Sequence, residues 1–208
     1  MKKYFSVILM VVTLVTLAAC SRDKEYTPKL PNKGGIMPYE LSESESYLLQ
    51  SFGIENRSQI IAFNAPQEAI TMEVNAYYLK DNADWESIGG GGISLGYEGD
   101  PIGKLKGTFT MLLKDNYSMD FNINSESTKV SYQTKEIDMD IQQGASGRLF
   151  LTELQEIEIN KEIPVALMVY DSGTSMRTYA LQDYLEPSKF EEMDLVQVLT
   201  LTFTDKEL

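Results

Sequence analysis

Histidine is absent from this chain of 208 residues, and Cys20 is its one cysteine. Those two facts remove Ser-His-Asp and Cys-His nucleophiles and the usual zinc ligand sets. Chemistry would fall to carboxylates, of which there are 31. A pair of Asp or Glu residues can hydrolyse a glycosidic bond without histidine, but nothing in the sequence sorts the acids into pairs. No Gly-x-Ser-x-Gly elbow occurs. Asp81, Asn82 and Asp84 are oxygen ligands at close spacing, as are Asp138 and Asp140. Calcium takes six to eight oxygens, and neither group has the Gly and distal Glu of a calcium loop. Both read as solvated acidic edges that discourage sheet-edge aggregation. The residues therefore name no catalytic group, no metal site and no cofactor, and a non-enzymatic role is expected.

Binding chemistry has better candidates. Trp85 is the only tryptophan, and Tyr77, Tyr78 and Tyr97 lie near it in sequence. Trp85, Tyr77 and Tyr97 could form a flat platform for a sugar ring, whose C–H faces are apolar and whose rim is polar. The competing reading is a core tryptophan with its N–H satisfied. Gly89-Gly90-Gly91-Gly92 fails the spacings of phosphate-binding loops, and reads as a flexible hairpin or loop.

The N-terminus carries an address. Lys2 and Lys3 precede an apolar run over residues 5–19. A spanning helix needs roughly 20 residues, so the run is the core of an export signal. Leu17 is too large for the −3 position of an ordinary cleavage site, which takes small residues. Leu17-Ala18-Ala19-Cys20 resembles the lipobox of bacterial lipoproteins. The resemblance covers residues 1–20 only. It implies that Cys20 is acylated, becomes the first mature residue and anchors the protein through lipid such as palmitate. Attachment to the extracytoplasmic face of the cell membrane follows, a Gram-positive surface being the first expectation and an outer membrane the second.

Charge bounds the partners. The net charge is −13, and more negative still once Lys2 and Lys3 leave with the signal. Such a chain is repelled by nucleic-acid phosphates and anionic lipid heads. No nucleic acid is expected as a partner. A glycan, a peptide or another envelope protein is. Two alternatives remain: an assembly lipoprotein without a small ligand, and a carboxylate-pair hydrolase.

Three regions must position these residues: a signal peptide over 1–19, the lipidated cysteine and a flexible tether over 20–38, and one β-rich domain over 39–208. Pro28, Pro31, Gly34, Gly35 and Pro38 mark the tether. Ser42 with Glu45 is a capping box that opens a helix over 41–52, with Gly53 as its C-terminal stop. That helix is expected to cover one end of a sheet. Beyond it the apolar period becomes two. Alternation at 70–78, 105–113, 117–123 and 195–203 predicts half-buried strands. Residues 149–159 read as one more strand, and the parity slips near Lys135, predicting a bulge or break. Residues 163–170 are almost continuously apolar, as a central strand covered on both faces would be. Leu79-Lys80-Asp81-Asn82 and Leu113-Lys114-Asp115-Asn116 predict two hairpins of one kind. Pro187 opens a short helical turn. The sum is a mainly β protein: an antiparallel two-sheet β-sandwich, immunoglobulin-like or jelly-roll, with one N-terminal helix.

Overall fold

Eleven strands build two antiparallel sheets in the computed structural model, which describes residues 28–81, 83–97, 104–126, 128–139, 144–174 and 177–208. Cys20, Asn82 and Asp140 lie outside the described residues. The strands are β1 (Gly35–Pro38), β2 (Ser58–Asn64), β3 (Thr71–Leu79), β4 (Trp85–Ser94), β5 (Lys106–Leu113), β6 (Met119–Ser125), β7 (Lys129–Gln133), β8 (Ala145–Phe150), β9 (Gln155–Glu156), β10 (Glu162–Asp171) and β11 (Leu195–Thr204). The first sheet runs β7-β6-β5-β2-β1-β9 and the second β4-β3-β11-β10-β8. The expected sandwich is what forms. No helix among the described residues is long and apolar enough to cross a membrane.

Alternation makes the inner faces. Phe109, Met111 and Leu113 of β5 and Met119, Phe121 and Ile123 of β6 all point into the core, with intermediate residues between them. From the other sheet come Met72, Val74 and Ala76 of β3 and Leu199, Leu201 and Phe203 of β11. Phe63 meets Phe203 across the two sheets at a centroid distance of 5.9 Å. β11, the last strand in the sequence, is the middle strand of the second sheet, between β3 and β10.

The helix α1 (Glu43–Ser51) has both of its caps. Glu45 N–H donates to Ser42 Oγ, and Ser42 N–H donates to Glu45 Oε2 at 2.7 Å. At the other end Gly53 takes φ 67°, its N–H donates to Gln50 O at 2.9 Å, and Ile54 N–H donates to Leu49 O at 3.0 Å. That is the Schellman closure, which a glycine at this position allows. The packing differs from expectation. No residue of α1 is buried, so it does not cover the sheet end with an apolar face.

The two hairpins share one loop. Lys80 N–H donates to Asp84 O and Ala83 N–H to Lys80 O. Lys114 N–H donates to Ser118 O and Tyr117 N–H to Lys114 O. The fourth residue of each loop is left-handed, Ala83 at φ 61° and Tyr117 at φ 60°.

Three further expectations change, and a fourth, the break near Lys135, holds. Residues 35–38 are strand β1, paired with β2 and β9, so the ordered domain starts inside the expected tether. Ile36 there is fully buried, but Ile36 and Met37 are adjacent in a Pro- and Gly-rich stretch and show no alternation. Residues 149–159 split into the end of β8 and the two-residue β9, because the chain crosses there from one sheet to the other. The parity slip near Lys135 is a true break: β7 stops at Gln133, and residues 134–139 carry no strand. The glycine run is no loop either. It lies inside β4, paired with β3. A Cβ on Gly91 would sit 2.4 Å from the Tyr132 ring, so the glycines admit close approach. Tyr132 Oη donates to Gly92 O at 2.6 Å, and Lys135 N–H donates to Ile88 O at 2.9 Å. The edge of β4 is thereby closed against β7 and the segment that follows it.

Candidate functional site

Residues 177–194 lie over the outer face of the second sheet. Two 3₁₀ turns, Leu181–Leu185 and Pro187–Phe190, shape this cover. Lys189 bridges them by donating to Asp183 Oδ1 at 2.6 Å and Glu186 Oε1 at 3.1 Å. The Lys189 ammonium and the N–H of Ala180 hold the Asp183 carboxyl below the usual carboxylate range. Beneath the cover is a second apolar cluster. Leu167 and Val169 of β10 and Val196 and Val198 of β11 pack with Tyr179 and Phe190. The nearly continuous apolar reading of 163–170 is explained here: alternate residues face two different cores.

Trp85, at the start of β4, is wedged into the rim of this cluster. Its ring centroid is 5.1 Å from Tyr184 and 6.4 Å from Phe190, and its N–H donates to Tyr184 O at 3.2 Å. Tyr77 also stacks on Tyr184, at a centroid distance of 6.5 Å. Trp85 and Tyr77 are thus brought together, through a residue that sequence reasoning missed. Tyr97 is not part of the group. It lies beyond the far end of β4, a strand roughly 30 Å long, and is 64% exposed. The three-residue platform does not form.

Glu162, the first residue of β10, ties cover to sheet. Tyr77 Oη donates to its Oε1 at 2.8 Å, Tyr184 Oη donates to its Oε2 at 2.7 Å, and Thr200 Oγ1 donates to Oε1 at 3.2 Å. Both carboxylate oxygens are engaged, which suits a clasp better than a proton-transfer group. Burial, reinforced by the adjacent Glu162 carboxylate, pushes both tyrosine hydroxyls well above their ordinary range.

A groove of 580 Å³ opens beside the clasp. Trp85 and Tyr184 form part of its wall with Leu181, Leu185, Ile163 and Pro164. Glu156, Glu158 and Lys161 add charge to its lining. Leu185 stands 73% exposed within it. The lining is thus mainly apolar with a few polar and charged side chains, the composition of a ligand site. The other acids do not assemble comparably. Among the described residues no three Asp, Glu, His or Cys side chains are grouped as metal ligands.

Tyr184, Leu185, Phe190 and Glu162 were not foreseen. A signal existed: the segment between β10 and β11 carries Tyr179, Tyr184 and Phe190, more aromatic surface than an exposed loop keeps in water. No protein-family model, no curated protein and no solved structure matches this chain.

Proposed function

We propose that this protein is a lipid-anchored, extracytoplasmic binding module, and that its groove between Trp85 and Leu185 holds a short apolar segment of a peptide or envelope protein. The observation that carries the reading is the groove itself, where an exposed Leu185 faces solvent beside an aromatic wall. Burying such a side chain against a partner yields about 1.5–3 kcal/mol. A glycan is less well supported. Trp85 lies between Tyr184 and Phe190 with its N–H already satisfied, so its ring is not a free stacking face. A carboxylate-pair hydrolase gains nothing from Glu162, whose oxygens accept from Tyr77, Tyr184 and Thr200. The anchor reading is supported by the four-residue lipobox resemblance ending at Cys20.

The test uses the mature chain in detergent against an arrayed library of apolar-centred peptides. Selected peptides are expected to bind, and Leu185→Asp is expected to weaken them at least tenfold without changing the thermal melt. Binding that is indifferent to Leu185→Asp, or an array with no binders, would overturn the reading. Palmitate labelling of cells producing the wild-type chain and Cys20→Ser checks the anchor separately.

A further inference from the structure

We propose that the exposed apolar face of α1 is a phospholipid-contact surface, laid against the bilayer that holds Cys20; the inference rests on the anchor reading above. Eight large hydrophobic residues are exposed among the described residues, and Tyr47, Leu48 and Phe52 are three of them. They are 68%, 54% and 74% exposed. Leu48 and Phe52 are one helical turn apart and share a stripe, with Tyr47 beside it. Three such side chains in six consecutive positions make a patch, whereas the other five are scattered along the chain.

The helix is built to exist without packing. A helix this short is marginal in water on its own. Here a full capping box and a Schellman closure hold it, although it buries no residue. A face kept in helical form in advance has little ordering to lose when it docks.

The chain that leads to the anchor arrives at this helix. Lys29 pairs with Glu40 at 2.8 Å, and Glu40 is two residues ahead of the helix cap Ser42. Cys20 and Pro28 are eight residues apart in sequence, a path of about 28 Å at full extension. A lipidated Cys20 therefore keeps the bilayer within reach of α1, at a high effective concentration.

Charge selects the kind of surface. The first turn of α1 carries Glu43 and Glu45, and its last turn has no basic residue. Anionic headgroups repel such a face. Aromatic and aliphatic side chains at a zwitterionic interface suit it, with Tyr47 and Phe52 as interfacial anchors. The contact orients a domain that the lipid already holds, and does not recruit it.

The test places a single environment-sensitive label at Leu48→Cys in the lipidated full chain. The lipid blocks the thiol of Cys20, so the new cysteine is the only labelling site. The chain is reconstituted in phosphatidylcholine vesicles containing spin-labelled lipid, with Leu185→Cys as the comparison position. Quenching at 48 is expected to exceed that at 185 at least threefold, to fall when half the lipid is anionic, and to fall again with Phe52→Asp. Equal quenching at both positions, with palmitate still on the chain, would overturn this inference and leave the anchor standing. Energy transfer between two copies labelled at 48, without lipid quenching, would overturn it in favour of a second copy. Loss of the palmitate label itself would overturn both readings.

Discussion

The two sheets of this sandwich treat their outer faces in opposite ways. Across β5, β6 and β7 the outer face of the first sheet is polar and carries no third layer. Thr110, Asn122 and Ser131 lie side by side across β5, β6 and β7, with Asn122 Nδ2 donating to Thr110 Oγ1 at 3.2 Å and Ser131 Oγ donating to Asn122 Oδ1 at 2.5 Å. The outer face of the second sheet is apolar and roofed by residues 177–194. The difference is written in the strands. β5 alternates buried and intermediate residues along its whole length, while β10 is buried without interruption from Val165 to Tyr170. A strand that must face two cores loses its polar positions, and the chain then has to supply a third layer. That layer brings the groove with it.

The sharpest way to break the contrast is Phe190→Ala. Phe190 is 2% exposed under the roof, and its truncation is expected to cost about 3–5 kcal/mol in denaturant unfolding. A loss below about 1 kcal/mol would mean that the roof is not packed as a core. Glu162→Ala comes next. It strands the hydroxyls of Tyr77 and Tyr184 and leaves that of Thr200 with Asn75 O at 3.5 Å, for an expected loss of about 2 kcal/mol.

The same clasp predicts an alkaline weakness. The tyrosine hydroxyls titrate higher in the folded state than in the unfolded chain, where they sit near 10. Their contribution is complete below about pH 10 and declines as pH climbs beyond that. Stability at pH 9 and pH 11 is therefore expected to differ less in Tyr77→Phe than in the wild type. An unchanged difference would remove the clasp from the account.

Smaller effects come from the paired hairpins, one in each sheet. Ala83→Gly relieves a left-handed alanine and is expected to raise stability by about 0.5–1 kcal/mol. Tyr117→Gly relieves the same backbone but loses a ring that meets Tyr170 edge-on at 5.0 Å, and is expected to destabilise. Parallel thermal melts of the two variants should move in opposite directions. The smallest effect belongs to the bare face: Asn122→Ala is expected to stay within about 0.5 kcal/mol of wild type.

How much of this could be read in advance follows the same division. Side chains that repeat a period or close a cap act locally, and they were legible. Ser42, Glu45 and Gly53 bounded α1 as they stand, and the Lys-Asp-Asn loops turned as expected. Strand β10 declared both of its cores through its apolar run. What stayed hidden depended on distant partners. Gly91 looked like loop because the Tyr132 ring it receives is 41 positions away in the chain. Trp85 and Tyr77 could be paired only through Tyr184, which lies about 100 residues downstream of either. Tyr97 fell away because neighbours in sequence on a long strand are far apart in space. The exposure of α1 was unreadable too, since its stripe looks the same whether it meets a sheet or a bilayer.

β11 is the last strand to be synthesised and the central one of its sheet. Proteins are synthesised from the N-terminus, and an early segment can fold as soon as its partners have emerged. Strands β2, β5, β6 and β7 all lie within the first two thirds of the sequence and need no later segment to pair with one another. β3 and β10 cannot be joined until β11 slides between them. The second sheet, with its roof and its groove, is therefore expected to close last. A message broken off before residue 195 yields a chain with two half-sheets and an open apolar seam, a natural substrate for quality-control proteases.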